Sequence, residues 1–354
     1  MPNRCQIAII WASFAGLSAY VMLRKRLEKD ADIKIFDMRD KFTYTPGLHE
    51  CLWDPSRLER LQFDLKKYYP NEFIHAKVER VEWDHVLVTE TGEERSFDYA
   101  IIATGSQPQF FGNEMWKKHG YTIRYPEDIA RLNTDIPNSE RIAVIWWWIT
   151  WVEVSSVLKQ QRPEKHIMLI HSGNIVLNNA AWSYSCTTAE RYLREQWVEL
   201  RYGERLQDIH EYSIVLSDGQ EIPCDMTILS AGVTADDEPY RSRLSFDNSY
   251  TSLESENIYL AGDVAMHGLL PTAHNAFFEW RRMANLIADK ILGAQKAYWP
   301  LHNWKNLAIA LWTHDGLMTF WHRGIYLPWL TWFAKWLVEK RVSFEFKHKI
   351  LLPI

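Results

Sequence analysis

The chain has 354 residues, of which 47% are hydrophobic and 24% charged, and its net charge is −5 at neutral pH. This length accommodates two domains and a tail, and the composition is that of an ordinary folded protein. The charge gives no indication of nucleic-acid binding, no run of 18 apolar residues could span a membrane, and four cysteines without a C-x-x-C pair favour reduced cytoplasmic thiols over a disulfide framework.

The N-terminal segment is predicted to form a strand, a helix and a second strand. The strand covers about 6–11, the helix about 14–29 and the second strand about 33–37. The helix has apolar residues at helical spacing and a basic C-terminal end that suits the helix dipole. Because the first strand begins so early in the chain, we expect no signal peptide.

The turn between this strand and helix carries the three positions of a dinucleotide-binding fingerprint, at Trp11, Ser13 and Gly16. In that motif the first glycine makes a tight turn, the second lets the backbone approach a diphosphate, and the third lets the helix pack on the strand. Asp37 ends the second strand, where a carboxylate accepts hydrogen bonds from an adenosine ribose. A turn-forming role before Arg39 is the alternative, and we favour the ribose role.

Residues 75–102 alternate apolar and polar side chains around turn residues, which predicts a small meander of short strands. The last strand, YAIIATG, ends at Thr104 and Gly105.

A second β-α-β unit is predicted over about 141–171, and it repeats the first fingerprint 135 residues later. Its second strand ends at His171, where a glutamate would select NADH by binding the 2′-hydroxyl group, so the coenzyme preference stays open. A surface histidine at a strand end is the alternative interpretation. Tryptophan stands where this turn would carry glycine, at Trp146, Trp147, Trp148 and Trp151.

The tryptophans suit this motif poorly, because only a residue without Cβ performs all three fingerprint roles freely. The chain has 15 glycines where an average composition gives roughly 25, and it has 18 tryptophans. Some bacterial lineages read the codon UGA as glycine and others as tryptophan. We therefore hypothesise that several of these positions are glycines translated with the wrong table. A chain whose sites have decayed or are filled by genuine indoles is the alternative, and UGG or GGN codons at 146–148 would exclude the hypothesis.

The remaining sequence completes the pattern. Short strands are predicted across 197–231, and a buried strand near 258–265 carries Gly262 and Asp263. A helix follows at about 272–292. The tail is rich in Trp, Leu and Phe with interspersed basic residues.

The chain resembles the two-dinucleotide-domain flavoproteins of the pyridine nucleotide-disulfide oxidoreductase superfamily. Four landmarks in order carry the resemblance: the first fingerprint with Asp37, ATG at Ala103–Gly105, the second fingerprint with Glu153, and AGD at Ala261–Asp263. The resemblance implies an α/β fold with two Rossmann-like domains and an amphipathic helical C-terminal tail. The implied FAD domain is 1–112 with 246–293, the NAD(P)H domain is 113–245 and the tail is 294–354.

Within the superfamily, the chain looks most like the type II NADH:quinone oxidoreductases. The resemblance implies FAD and NAD(P)H as cofactors, no metal, and Glu153 as the catalytic residue facing nicotinamide and flavin. A first-turn acid that complements the helix dipole is the alternative role for Glu153. The residues implied to bind the cofactors are Trp11, Ser13, Gly16, Asp37, Thr104, Gly105, Gly262, Asp263, Thr272 and Ala273 for FAD, and Trp146, Trp148, Trp151 and His171 for NAD(P)H. Relatives also tend to carry glycine at three further tryptophans, namely Trp197, Trp280 and Trp321.

The electron acceptor is the least determined feature. Residues 273–279 depart from the A-Q-x-A-x-Q-Q pattern of the quinone reductases, which puts the quinone site in doubt. The C-x-x-x-x-C pair of disulfide reductases is missing, so a dithiol relay is not expected. The leading hypothesis is an FAD-dependent NAD(P)H dehydrogenase that reduces a quinone. The alternatives are a sulfide:quinone or ferredoxin reductase, in which Cys51 and Cys186 would be tested, and a cofactor-free scaffold with genuine tryptophans.

The segment 325–344 combines a broad apolar face with charged residues elsewhere, as in a helix lying in a membrane interface. Packing on its own domain or on the second subunit of a homodimer is the alternative. A tail on the inner face of the cell membrane would bring quinone to the flavin. His49, Cys51 and Lys335 are candidate neighbours of that acceptor site that the sequence cannot place.

Overall fold

The computed structural model describes residues 4–145, 149–177, 183–229, 232–235, 251–253, 255–265, 273–294, 307–312, 315–320, 323–326 and 328–352. The helices in these ranges are α1 (Phe14–Leu27), α2 (Arg57–Leu61), α3 (Leu65–Tyr68), α4 (Glu114–His119), α5 (Pro126–Asp135), α6 (Ile149–Gln161), α7 (Ser183–Glu195), α8 (Ala273–Leu292) and α9 (Pro328–His348), with 3-10 helices at Thr45–Leu52, Ile136–Asn138 and Asp263–Ala265. The strands are β1 (Cys5–Ile10), β2 (Ala31–Asp37), β3 (Lys41–Thr43), β4 (Gln62–Asp64), β5 (Phe73–His75), β6 (Val78–Val81), β7 (Val86–Thr89), β8 (Glu94–Ser96), β9 (Tyr99–Ile102), β10 (Ser106–Pro108), β11 (Gly120–Tyr121), β12 (Arg141–Ile145), β13 (His166–His171), β14 (Glu199–Tyr202), β15 (Leu206–Ile209), β16 (Ser213–Leu216), β17 (Glu221–Pro223), β18 (Met226–Leu229), β19 (Val233–Ala235), β20 (Ile258–Leu260), β21 (Leu307–Trp312), β22 (Asp315–Phe320) and β23 (Arg323–Tyr326).

Two parallel sheets with the same topology organise the molecule. The first has the order β20-β9-β1-β2-β5 and the second the order β11-β18-β12-β13-β14. All neighbouring strands in both sheets run parallel. In each sheet the first strand of a β-α-β unit is central, and its helix begins where the strand order reverses. Ligands of such sheets bind at this switch point, so the topology directs attention to the starts of α1 and α6.

The first sheet is buried on both faces, as parallel sheets usually are. Ile7, Ile9 and Ile10 of β1 are almost fully buried, and Leu17 and Tyr20 of α1 are completely so. Burial of a side chain such as Leu17 contributes about 1.5–3 kcal/mol. Helix α1 packs along α8, which covers the sheet next to it. This core fixes the start of α1 against the carboxyl edge of the sheet.

Each parallel sheet carries a small antiparallel meander. Strands β6, β7 and β8 form the first, which the alternation in 75–102 predicted, and β15, β16 and β17 form the second. Strands β10 and β19 pair antiparallel and link the two halves of the chain. The predicted α/β fold with two Rossmann-like units is therefore confirmed.

The tail contains more than the predicted helix. Strands β21, β22 and β23 form an antiparallel sheet that the sequence analysis did not anticipate, because it considered only the aromatic and basic content of this segment. Helix α9 then docks on the first half: Phe346 is buried against Phe42, and Lys349 pairs with Glu72 at 3.2 Å. Within the described ranges, no helix is long and apolar enough to cross a membrane.

Candidate functional site

The first fingerprint turn has the predicted geometry. Ser13 caps α1: its Oγ accepts a hydrogen bond from the Gly16 N–H at 3.2 Å and donates one to the Ala103 carbonyl at 2.8 Å. Only glycine fits at position 16, since a Cβ there would lie 2.1 Å from the Trp11 carbonyl oxygen. The bare N-terminus of α1 therefore meets the end of β1 closely, and such a terminus attracts anions.

Asp37 lies beside this turn at the end of β2, and it is 4% exposed. Its Oδ2 accepts a hydrogen bond from the Ala12 N–H and its Oδ1 one from the Arg39 N–H, both at 2.8 Å. Burial raises the pKa of Asp37 to about 7, while these two N–H groups and the charge of Arg39 oppose the shift. The contact with Arg39 is the turn-forming role considered from the sequence, and the contact with Ala12 joins the carboxylate to the fingerprint.

Gly262 and Asp263 reach the same edge from β20. Gly262 has a φ of +81°, and a Cβ on it would lie 3.0 Å from the Ala15 Cβ, so the AGD turn abuts the start of α1. Asp263 Oδ2 accepts a hydrogen bond from Ser106 Oγ at 3.0 Å. The Arg124 guanidinium lies 3.8 Å from the same oxygen.

The remaining first-domain landmark also lies at this edge. Thr104 is buried and Gly105 follows it, between β9 and the Ser106 that contacts Asp263. The structure thus brings together the predicted residues Trp11, Ser13, Gly16, Asp37, Thr104, Gly105, Gly262 and Asp263. They fit the implied FAD: the close glycine positions Gly16 and Gly262 and a helix N-terminus suit a diphosphate, and two carboxylates flank it, the buried Asp37 and the partly exposed Asp263.

The second fingerprint turn is only partly described. Strand β12 ends at Ile145 and α6 begins at Ile149, so three residues separate strand and helix, as in the first unit. The predicted Trp146 and Trp148 lie outside the described residues, as does Thr272. Ala273 begins α8, and its side chain is not described.

Trp151, at the position equivalent to Gly16, is 1% exposed and packs in the core of the second domain. Its indole N–H has no hydrogen-bond partner within the described part of the chain. Burying a donor without a partner costs about 1–3 kcal/mol. Trp151 therefore fills core volume at a position where the first domain has a close helix–strand contact.

His171 differs from the expectation of a surface residue, since it is 4% exposed. Its ring lies over Gly173, where a Cβ would be 2.3 Å from His171 Nε2. Burial lowers the pKa of His171 to about 4, so the ring is neutral near pH 7. A neutral, buried imidazole attracts no 2′-phosphate and offers no charge by which to choose between coenzymes. The sequence missed this burial because it cannot show what packs over a strand end.

Glu153 occupies a buried charged site rather than the first turn of its helix. It is the fifth residue of α6 and is 5% exposed. Its Oε1 accepts a hydrogen bond from Lys335 Nζ of α9 at 2.7 Å, and its Oε2 lies 3.7 Å from His49 Nδ1. The alternative role of a first-turn acid on the helix dipole is therefore wrong, and Glu153 connects three distant segments.

A second ion-pair chain lies beside this site. Arg57 of α2 pairs with Glu50, next to His49, and with Glu339 of α9 at 3.5 Å. Glu339 also pairs with the more exposed Lys340 at 3.2 Å. Tyr44 is held in the same region, where burial raises its pKa. The sequence analysis did not identify Arg57, Arg124 or Ser106 as site residues. Arg57 and Arg124 adjoin no motif, and Ser106 follows the ATG motif without being part of it.

The cysteines provide no redox pair. Cys51 is completely buried among Leu48, Leu61 and Ile129, and Cys186 lies in the separate core of the second domain. All four cysteines are free thiols. Burial raises the pKa of Cys51 to about 12 and also raises that of Cys186. Both thiols are therefore protonated near neutral pH, whereas nucleophilic sulfur chemistry requires the ionised thiolate.

Two of the suspect tryptophans have a backbone conformation that favours glycine. Trp11 has a φ of +84° and Trp197 a φ of +62°. Trp197 follows α7 in a Schellman motif: the Val198 N–H bonds to the Leu193 carbonyl and the Trp197 N–H to the Arg194 carbonyl. That position is usually glycine. Trp280 is fully buried within α8, and Trp321 lies outside the described residues.

Replacing Trp197 with glycine is expected to stabilise the protein by about 1 kcal/mol, because a left-handed residue with a Cβ costs about that much. The side chain is 84% exposed, so little packing is lost. Urea unfolding measures the change. The matched control is Trp83→Gly, at an exposed position without positive φ, where we expect a small loss of stability instead. Equal effects at both positions would contradict the glycine hypothesis for Trp197.

Two nucleotide-binding units sharing a charged site define a two-domain dinucleotide-binding protein, and comparisons with known proteins agree. A family described as pyridine nucleotide-disulphide oxidoreductase matches residues 5–279. Ferroptosis suppressor protein 1 from Xenopus laevis is 23% identical over 347 residues, which are 91% of this chain and 90% of that protein. The ferredoxin–NAD(+) reductase component of the p-cumate 2,3-dioxygenase system of Pseudomonas putida is 24% identical over 189 residues, covering 51% of this chain and 46% of that protein. The structure of sulfide:quinone oxidoreductase from Aquifex aeolicus has a TM-score of 0.87 at 16% identity, covering 99% of this chain and 93% of that one.

The chain belongs to the pyridine nucleotide-disulphide oxidoreductase family. Proteins of this family contain FAD and depend on NAD(P)H, so the predicted cofactors are confirmed. Because the identity to the Aquifex structure is only 16%, that comparison supports the fold and nothing beyond it.

Proposed function

We propose that this chain is an FAD-dependent NAD(P)H oxidoreductase that passes electrons to a quinone. The buried Lys335–Glu153 ion pair carries the proposal, because it joins the helix of the second nucleotide-binding unit to the tail helix. The proposed FAD domain is 1–112 with 246–293, the NAD(P)H domain is 113–245 and the tail is 294–354. The site therefore lies where both units and the tail meet.

The chain's contribution to this reaction is binding, orientation and proton handling. Bound FAD supplies the hydride-accepting and electron-transferring chemistry. The start of α1, bare at Gly16, would hold its diphosphate, and Asp37 would accept hydrogen bonds from its ribose. Asp263, held by Ser106 and near Arg124, would orient the chain that leads to the reactive ring.

The Lys335–Glu153 ion pair holds a proton for the acceptor. Reduction of a quinone by NAD(P)H takes one proton from the medium in addition to the transferred hydride. A general acid for that step must be fixed near the reacting groups. Lys335 fixes Oε1 of Glu153 at 2.7 Å, and Oε2 faces His49.

The absorbance spectrum and the steady-state kinetics of the purified protein test this function. We expect a flavin absorbance spectrum that is bleached by NADH or NADPH without oxygen, and a rate of NAD(P)H oxidation that rises on addition of a short-chain quinone. Sulfide-driven quinone reduction that is lost on replacing Cys51 or Cys186 would support the sulfide alternative, and NADH-driven ferredoxin reduction the ferredoxin alternative. Colourless protein that binds no FAD would overturn the proposal in favour of a scaffold.

The tail helix offers a surface for a membrane. Five large apolar side chains of α9 are exposed, and their spacings of four, three, one and seven residues place them on one side of the helix: Trp329, Phe333, Trp336, Leu337 and Phe344. The exposed Val338 lies on another side. Aromatic side chains with nearby basic residues suit the membrane–water interface. A quinone is lipid-soluble, so a tail on the bilayer would shorten its path to the site. Packing of the same side chains on a second copy of the chain is the alternative.

Vesicle binding tests the surface. Replacing Phe333 and Trp336 together with aspartate is expected to weaken binding to phospholipid vesicles at least about 100-fold, because two large side chains no longer enter the bilayer. Vesicle flotation measures the binding. The control is Tyr212→Asp, at an even more exposed aromatic residue of the second unit, which should leave binding unchanged. If the double variant still floats with the vesicles, or instead turns a dimer into a monomer, the membrane assignment is wrong.

A further inference from the structure

His49 is a buried polar residue at the meeting point of the two units and the tail. It lies on the 3-10 helix Thr45–Leu52 and is 2% exposed. Helix α6, which carries Glu153, packs directly on this segment. The sequence named His49 as a candidate neighbour of the acceptor site without being able to place it.

The two ring nitrogens of His49 have different surroundings. Nδ1 lies 3.7 Å from Glu153 Oε2, the oxygen opposite the one that Lys335 holds. Nε2 is buried and has no hydrogen-bond partner among the residues that the structure describes. A buried imidazole nitrogen without a partner is unfavourable, because it has given up its hydrogen bonds to water. Such a cost is offset if a bound ligand supplies the missing hydrogen bond.

The charges around His49 leave its ring neutral at rest. Burial is the largest influence and lowers its pKa. Among the charged neighbours, Glu153 of α6 and Glu50 on its own helix raise the pKa, whereas Lys335 of α9 and Arg57 of α2 lower it. A neutral imidazole has one N–H donor and one free nitrogen, so it can receive a proton at one position while it releases one at the other.

We propose that His49 carries a proton from the Lys335–Glu153 ion pair to the electron acceptor. Nε2–H hydrogen-bonds to an oxygen atom of the acceptor, and Nδ1 receives, through the Glu153 carboxylate, the proton that the pair holds as Nε2 releases its own. This inference rests on the proposed function and names the residue that completes it. The acceptor class it selects is a two-electron acceptor with a carbonyl oxygen, because such an oxygen both accepts the hydrogen bond and keeps the proton.

The proton balance of this step is closed. NAD(P)H, one proton and a quinone give NAD(P)+ and a quinol: the hydride brings one hydrogen nucleus and both electrons. The second proton leaves the ammonium group of Lys335 and passes through the Glu153 carboxylate to Nδ1, and an equivalent proton leaves Nε2 for the quinol oxygen. Lys335, the more exposed member of the pair, then regains a proton from the solvent, and the ring returns to its first tautomer.

The kinetic test compares two acceptors. Holoenzyme is reduced with one equivalent of dithionite, which bypasses the NAD(P)H site, and is mixed with a short-chain quinone or with ferricyanide. For His49→Gln we expect at least a 10-fold slower reaction with quinone and less than a 2-fold change with ferricyanide, which takes up no proton. For the wild-type protein we expect the quinone rate to decline at high pH as its proton supply is exhausted, and for His49→Gln we expect that decline to be absent. The matched control is His166→Gln, at an exposed histidine of the outer sheet region paired with Glu199.

A second measurement does not depend on activity. Histidine-labelled protein is titrated by NMR, and the His49 resonance is assigned by its loss in His49→Gln. We expect the His49 ring to titrate below its ordinary range in the wild-type protein. Its midpoint should fall by about one pH unit in Glu153→Gln and rise by a similar amount in Lys335→Gln, since each variant removes one neighbouring charge.

The outcomes separate this inference from the proposed function. Equal slowing with quinone and ferricyanide, or a His49 midpoint that does not respond to Glu153→Gln, would overturn the role of His49 while leaving quinone reduction intact. A wild-type protein that reduces ferricyanide but no quinone would overturn the proposed function. In that case a coupled titration of His49 and Glu153 would still be measurable, but no carbonyl acceptor would receive the proton.

Discussion

Replacing Trp146, Trp147, Trp148 and Trp151 together with glycine is expected to raise kcat/KM for NAD(P)H at least about 100-fold, because misplacement of a reactant costs that much. Glycines would leave the turn after β12 as bare as position 16 is in the first unit. A diphosphate could then lie against the backbone and the start of α6. Anaerobic mixing with NADH and NADPH, followed by flavin absorbance, measures the effect, and Trp83→Gly is the control.

For Trp151→Gly alone, the change in the free energy of unfolding has opposite signs depending on whether tryptophan or glycine is the native residue. If tryptophan is native, removal of a completely buried indole leaves a cavity and costs about 3–5 kcal/mol. If glycine is native, α6 closes onto β12 and the unpartnered indole N–H disappears, so the stability rises. The intact mass of protein made in its native host counts the exchanged positions directly. If the variant with all four glycines holds FAD but is reduced by neither NADH nor NADPH, the oxidoreductase assignment is wrong.

Replacing Lys335 with methionine is expected to lower the free energy of unfolding by about 3–5 kcal/mol, because Glu153 is left as a buried charge without its partner. The partners are well shielded: the side chains of Lys335 and Glu153 are 19% and 6% exposed. Quinone reduction should fall with the stability, since the ion pair that holds the proton is broken. Urea unfolding and steady-state turnover measure the two effects.

The control for Lys335→Met is Arg194→Met, which breaks an exposed ion pair with Glu190 of similar length. Exposed pairs contribute at most about 1 kcal/mol. The double variant Lys335→Met with Glu153→Met should regain most of the lost stability, because removing both members of a buried pair is often neutral. If Lys335→Met costs no more than Arg194→Met, the tail helix does not depend on this contact.

The sequence predicted the local elements well. Strand β1 and helix α1 lie within a few residues of their predicted bounds, and so do β12, α6 and β13. These elements were predictable because their apolar periodicity and turn residues act over a few neighbouring positions. The fingerprint residues Ser13 and Gly16 also act locally, through a helix cap and a close turn.

Features that depend on packing were predicted less well. The burial of His171 arises from Gly173 and from the sheet around it, and the β21–β23 sheet depends on pairing between strands. The tryptophans form an intermediate case. The fingerprint spacing indicated that Trp11 stands in a glycine position, and the family resemblance indicated the same for Trp197, but their positive φ angles became visible only in the folded backbone.

The sequence by itself determined that this chain holds two nucleotide-binding units, because each unit is encoded by contiguous strand, turn and helix patterns. Only the tertiary structure decided which side chains form the charged site between them. His49, Glu153 and Lys335 lie on three segments separated by more than a hundred residues, and no local pattern relates them. They meet because the core of each unit and the docking of α9 fix three surfaces against one another, and a buried charge is stable only where such surfaces supply its partner.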